Sequence, residues 1–191
     1  MISTEKQFIF IHIPKTAGNS LTDILAPYSD HQVIIHGNSL GKDQGRNLEN
    51  LPGLKHSPLS VLKDQIPHLD QYHKFCTVRN TWDRLISYAS WELGKNPTAE
   101  AISAFLMHKK YKPQLHFIQI GGKLAIDTVL RFEHLAEDVK ALCEKLKIPF
   151  PGLKIVNKSQ HANYRTLYTK QARQWVAQYY AAEIQLFDFK F

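Results

Sequence analysis

Apolar positions along the chain switch between a period of two and a period near 3.6, and the switches mark out the elements. Residues 7–13, QFIFIHI, are apolar on both alternating faces, which predicts a strand buried on both sides of a sheet. The run stops at Pro14. KTAGNS is small and polar, and SLTDILAPY then places Leu21, Ile24 and Leu25 on one helical face until Pro27 ends it. Strand, tight loop and helix make half of a βαβ unit. A second short strand is expected at residues 32–35, followed by a polar Gly/Asn-rich loop, GNSLGKDQGRNLENLPG. Leu59, Leu62 and Ile66 after Pro58 predict a helix, and residues 74–78 predict a third strand. Asn80, with Asp83 three residues on, is a good N-cap for a helix through WDRLISYASWEL.

Further helices are expected over 99–108, 135–146 and about 169–187, with a fourth strand at 127–132. Strands alternating with helices predict an α/β protein with a central parallel sheet and helices on both faces: a single domain over residues 1–191, P-loop-like, in a three-layer sandwich. The chain shows no internal repeat, low-complexity segment or linker.

Composition narrows the class. With 191 residues and 43% hydrophobic content, the chain can bury a core without a disulfide or metal staple. Cys76 and Cys143 each sit in an apolar stretch with no Cys or His at ligand spacing, so a disulfide framework and a zinc ribbon are both disfavoured and a reduced, cytoplasmic setting is expected. The longest apolar run, Phe8 to Ile13, falls far short of the roughly 20 residues of a membrane span, and MISTEKQ lacks the features of a signal peptide. The balance of 24 Lys+Arg against 17 Asp+Glu gives a net charge of +7, which suits an anionic partner. The densest basic cluster is only HKKYK, 108–112, so a basic tail is not indicated.

Two stretches carry candidate chemistry. In IHIPKTAGNSL, a loop between strand and helix presents consecutive backbone N–H groups at a helix N-terminus, where an anion is well accommodated. Lys15 supplies a full charge, Gly18 permits close backbone approach, and Thr16, Asn19 and Ser20 are short donors; the competing reading is a plain polar turn. The Walker A order is absent, since Lys15 precedes the glycine and the upstream glycine is missing. Of the strand ends, only Glu133 offers a magnesium-binding acid, and it more naturally opens the next helix, so the loop is expected to bind phosphate without a metal. In FCTVRNTWDRLISYASW, Arg79 ends a buried strand where open α/β sheets bind ligands, and Ser87 adds a hydroxyl two turns on. Arg84 is expected to pair with an acid such as Asp83, and Trp82, Leu85 and Trp91 to pack.

PKTAGNS after a strand, with VRNTWDRLISY about sixty residues later, resembles the two cofactor motifs of sulfotransferases that use 3′-phosphoadenosine-5′-phosphosulfate (PAPS). The branch it is most similar to contains heparan sulfate 2-O-sulfotransferase, chondroitin sulfotransferases and bacterial relatives. The likeness continues through KHSPLSVLKD, LRFEHLAEDVKALCEKLKI and NKSQHANYRTLY, nearly the whole chain. The resemblance implies that Lys15, Thr16, Ala17, Gly18, Asn19 and Ser20 hold the 5′-phosphosulfate, with Lys15 stabilising the leaving phosphate. It further implies that Arg79 and Ser87 grip the 3′-phosphate and that Tyr164 and Arg165 close over the nucleotide. Asn19 stands where the family usually has Thr, and Thr81 where it usually has Pro; both keep the local chemistry.

Transfer to a hydroxyl needs a base. His56, before the helix start at Ser57-Pro58, matches a position where relatives carry a catalytic histidine; capping or packing is its competing role. His36 at a strand end and Glu133 are rival bases, and His12 is expected to be a hydrogen-bonded core histidine. A sulfuryl group carries less charge than a transferring phosphoryl group, so lysine and backbone dipoles can replace a metal clamp. The expected activity is therefore sulfuryl transfer from PAPS to an acceptor hydroxyl on a saccharide, with Trp82, Trp91 and the loop 37–53 shaping the acceptor site, and with no metal and no nucleic-acid partner. A small-molecule kinase on a degenerate P-loop and a non-enzymatic basic module for an anionic polymer are the alternative classes; no motif names the sugar, a lipid or small phenolic acceptor stays open beside it, and the oligomeric state is not legible.

Overall fold

The computed structural model describes residues 1–30, 33–35, 38–40, 54–94, 97–153 and 162–191. In chain order the strands are β1 (Ile2–Ser3), β2 (Phe8–Ile11), β3 (Val33–Ile35), β4 (Asn38–Leu40), β5 (His73–Val78), β6 (Gln119–Ile120), β7 (Lys123–Leu124) and β8 (Thr128–Arg131). The α-helices are α1 (Gly18–Leu25), α2 (Leu59–Leu62), α3 (Thr81–Leu93), α4 (Ala99–Lys109), α5 (Leu115–Ile118), α6 (Leu135–Leu146), α7 (Lys170–Tyr179) and α8 (Ala181–Leu186). The chain divides into two compact units, one of Met1–Val78 with Leu115–Val156, the other of Arg79–Gln114 with Asn157–Phe191.

The first unit is α/β, built on a four-stranded sheet in the order β1-β2-β5-β8. Its inner pairs are parallel, as expected, with Phe10 opposite Phe75 and Thr77 opposite Leu130. The sheet as a whole is mixed, because β1 runs antiparallel to β2 with Ile2 opposite Ile9. A buried Asp30 holds that edge: it accepts the Thr4 backbone N–H at 2.9 Å, and its own N–H donates to the Ile2 carbonyl at 2.9 Å. The strand expected at 32–35 does form at Val33–Ile35, but it pairs with β4 in a separate hairpin instead of joining the sheet, and β4 lies inside the stretch read as loop.

All four residues of β2 are buried, so both faces of the sheet are covered at its centre. Side chains alternate between the faces. Phe8, Phe10, Phe75 and Leu130 fall on one face, where they meet Leu21, Ile24 and Leu25 of α1 and Leu135, Val139, Leu142, Cys143 and Leu146 of α6. Phe10 and Phe75 stack at 5.4 Å, and each buried side chain of this size contributes about 1.5–3 kcal/mol. Helix α6 keeps its predicted bounds and stops at Lys147, whose left-handed backbone (φ 54°) returns its N–H to the Cys143 and Glu144 carbonyls. The β6–β7 hairpin turns on Gly121 and Gly122, both at positive φ, where glycine is required.

The second unit is helical. Asn80, Thr98 and Thr169 cap α3, α4 and α7 through their side-chain oxygens. The predicted C-terminal helix is two helices, broken at Tyr180. Tyr180 is buried and its hydroxyl donates to the Tyr111 carbonyl at 2.7 Å, so tertiary contact fixes the break. Both cysteines are buried free thiols, and burial pushes each upward in pKa, in keeping with a packing role.

Candidate functional site

The loop after β2 is built from tight local bonds. The Ile13 N–H returns to the Ile11 carbonyl at 3.1 Å, which turns the chain sharply at the end of the strand. Lys15 (φ 67°) and Ala17 (φ 65°) both adopt the left-handed conformation on either side of Thr16. Such a conformation costs a non-glycine residue about 1–3 kcal/mol. Left-handed residues alternating along a turn draw successive N–H groups into a concavity that suits an anion. Ala17 is the N-cap of α1 and provides no side-chain cap, and the first turn holds no acid, so the positive end of the helix is not neutralised within the helix.

The Thr16 hydroxyl plays a different part from the one expected. Thr16 is fully buried and its Oγ1 donates to the Ile13 carbonyl at 2.8 Å, so its contribution to an anion is its backbone N–H alone. Gly18 likewise has a packing reason to be glycine: a Cβ there would lie 2.1 Å from both Cδ2 and Nε2 of His12. Ser20 is buried, while Lys15 and Asn19 are half-buried.

His12 joins this loop to His56. Its ring lies nearly parallel to Phe10 at 5.6 Å and meets the His56 ring edge-on at 4.7 Å. Burial, and after it the charges of His56, Lys55 and the N-terminal amino group, hold the His12 imidazole well below its ordinary pKa and hence neutral. His56 sits on the exposed side of a 3₁₀ turn, Leu54–His56, and its Nδ1 is 2.9 Å from the His12 carbonyl. A carbonyl only accepts, so Nδ1 carries the proton and the lone pair of the neutral ring is on Nε2. That is the tautomer a general base at Nε2 needs. Within the first unit, then, the Lys15–Ser20 loop and His56 are brought against one buried ring.

The remaining candidates belong to the second unit. Arg79 follows β5 directly and is 6% exposed; its Nε donates to Asp83 at 2.7 Å. Arg79, Asp83 and Ser87 are spaced four apart, which puts them on one side of the α3 start, and Ser87 is buried. Asp83 thus orients Arg79, and the fully buried Arg84 donates both Nη groups to the Lys112 carbonyl at 3.2 Å and lies over the Tyr88 ring. Tyr164 and Arg165 form a 3₁₀ turn, and the Tyr164 hydroxyl and the Asn80 Nδ2 both donate to the Lys190 carbonyl, at 3.3 and 2.7 Å. Arg165 lies 4.6 Å above the Tyr164 ring. The chain terminus therefore ties Tyr164 and Arg165 to the beginning of α3, next to Arg79. Trp82 packs as expected, edge-on to Phe191, whereas Trp91 is 70% exposed.

Sequence reasoning missed the carboxylate beneath this cluster. Glu183 of α8 is 1% exposed and accepts from the Thr81 hydroxyl at 2.7 Å, from the Gln114 backbone N–H, and from the Gln114 side chain at 3.2 Å. Gln114 in turn clasps Arg79, its Oε1 accepting the Arg79 N–H at 2.9 Å and its Nε2 donating to the Arg79 carbonyl at 2.9 Å. A lone Glu in AAEIQL carries no local sign that it is buried. His36, most of the loop 37–53 and residues 157–161 of the NKSQHANYR stretch lie outside the described residues. Glu133 is exposed on the 3₁₀ turn that precedes α6.

Among the described residues no group of three or more His, Cys, Asp or Glu is placed to hold a metal ion, and no helix is long and apolar enough to cross a membrane. No family model and no curated protein matches the chain.

Proposed function

We propose that the protein is a PAPS-dependent sulfotransferase of P-loop-like, three-layer architecture, acting in the cytoplasm on a saccharide hydroxyl. The observation that carries this reading is the pairing, inside one compact unit, of a helix-start loop holding Lys15 with a histidine whose Nδ1 proton is fixed on a backbone carbonyl. The loop's N–H groups and Lys15 take the 5′-phosphosulfate; Arg79, Ser87, Tyr164 and Arg165 serve the 3′-phosphate side. The acceptor oxygen attacks sulfur in line, the bond from sulfur to the 5′-phosphate oxygen breaks, His56 Nε2 takes the hydroxyl proton, and Lys15 balances the charge on the departing phosphate.

The test is a mass-shift transfer assay with PAPS across a panel of oligosaccharides, alongside calorimetric titration of the product nucleotide, 3′-phosphoadenosine-5′-phosphate (PAP). PAP binding that is lost in Lys15→Ala and Arg79→Ala is the expected result. Unchanged PAP binding in both variants, or magnesium-dependent ATP turnover with no transfer from PAPS, overturns the proposal.

A further inference from the structure

We infer that His12 is a positioning residue, a wedge through which the start of α1 sets the orientation of His56. What is being coupled rests on the sulfotransferase reading; the wedge itself rests on packing. The imidazole is confined on three sides. Phe10 stacks against one face, the His56 ring meets it at 68°, and the Gly18 backbone approaches so closely that a single methyl group there would fall within 2.1 Å of two ring atoms. Gly18 is the first residue of α1 and His56 reaches back to the His12 carbonyl, so one residue supplies both the ring that separates loop from base and the acceptor that fixes the base's tautomer.

This assigns Gly18 a purpose different from close approach by a phosphate. The φ of Gly18 does not demand glycine, whereas the space beside it does. Any side chain at position 18 drives the His12 ring away from α1. Phe10 bars one route, and the other leads into His56. A displacement of the base by about 1 Å is enough to cost on the order of a hundredfold in rate. Conversely, an anion that shifts the loop moves His12, so filling of the loop and alignment of the base are mechanically linked.

The coupling is tested with a double-mutant cycle of Gly18→Ala, His12→Ala and the pair together, because coupled sites depart from additivity. Three quantities are read: the nitrogen and carbon resonances of the His56 imidazole in the nucleotide-free protein, the affinity for PAP, and kcat. Gly18→Ala alone is expected to shift the His56 resonances and to lower kcat about a hundredfold, beyond whatever change it makes in PAP affinity. In the His12→Ala background, where the methyl has room, the same change is expected to add nothing. If Gly18→Ala alone does not fold, recovery of the melting temperature in the double variant reads the same coupling. The inference is overturned if Gly18→Ala leaves the His56 resonances in place, if its cost is the same in both backgrounds, or if the double variant does not recover. The His56 spectrum needs no nucleotide, so a wild-type protein that fails to bind PAP overturns the sulfotransferase reading alone and leaves the wedge to be decided by resonance shifts.

Discussion

At the scale of single residues, the proposed mechanism turns on two histidines with opposite environments. His56 is exposed and its neutral lone pair is on Nε2; replacing it by Ala is expected to lower kcat by about 10²–10⁴, the usual share of a general base, while PAP binding stays near that of the wild type. A parallel loss of PAP affinity would show that His56 holds nucleotide instead. His12 is buried and neutral, and its depressed pKa has a consequence for stability. Below about pH 6.5 the unfolded chain protonates this imidazole and the folded chain does not, so its contribution is complete at higher pH and fades as pH falls, by at most about 1.4 kcal/mol per pH unit. The buried terminal amino group, which burial lowers to about 5, gains positive charge as pH falls and adds to that sign. Urea melts between about pH 7.5 and 5.5 should therefore give a flatter slope for His12→Ala than for wild type. A residual slope is expected from His73, which burial and Lys145 also lower. Equal slopes in the two proteins would mean that His12 protonates in place. The expectation of a core histidine came from an apolar strand around it, and that much was legible. Its contact with Gly18 and His56 was not, because nothing local in HIPKTAG announces what lies 44 residues away at His56.

At the scale of elements, local signals and their limits separate cleanly. Helix α6 was legible to the residue because Leu135, Val139, Leu142 and Leu146 repeat at helical spacing and IPFPG cannot continue it. The start of α3 was legible from Asn80, whose side chain accepts the Trp82 N–H at 3.1 Å. Strand β1 was not, since two residues in a polar leader become a strand only when Ile9 and Asp30 hold them, and the separate β3–β4 hairpin depends on pairing that a strand's own residues do not encode. Two substitutions test what the elements rest on. Phe75 has no exposure and its ring touches Phe8, Phe10 and His73, so Phe75→Ala should cost about 3–5 kcal/mol in urea unfolding. A loss under about 1 kcal/mol would show that the sheet face collapses onto the vacancy. Glu183→Ala strands the Gln114 N–H and the Thr81 hydroxyl inside the helical unit, at about 1–3 kcal/mol for each buried group left unpaired, whereas Glu183→Gln keeps an acceptor oxygen and should lose less. If the two variants melt alike, the buried carboxylate's charge and not its hydrogen bonds holds Arg79's clasp.

At the scale of the whole molecule, the net charge of +7 and the individual cations make separable predictions. Diffuse positive charge attracts any anion and is screened within about 10 Å at 0.1 M salt. Arg79, held by Asp83 and clasped through its backbone by Gln114, is instead fixed before any ligand arrives, and such a group loses little entropy on binding, while Lys15 brings its charge on a turn of fixed backbone. Alternation of strands and helices made the α/β character legible, but the partition of cations between two compact units was not, because it follows from which segments return to each unit after residues 78, 114 and 156. A ligand that binds only the folded protein at a hundredfold excess over its Kd stabilises it by about 2.7 kcal/mol. For a chain of this size that is a rise in Tm of about 5–10 °C. PAP should produce that rise in wild type, lose most of it in Lys15→Ala and in Arg79→Ala, and keep it in Lys109→Ala, a variant within the densest basic cluster and outside both motifs in sequence. An equal rise in all four proteins, vanishing together as salt is raised, would assign the nucleotide to the diffuse charge and remove Lys15 and Arg79 from the site.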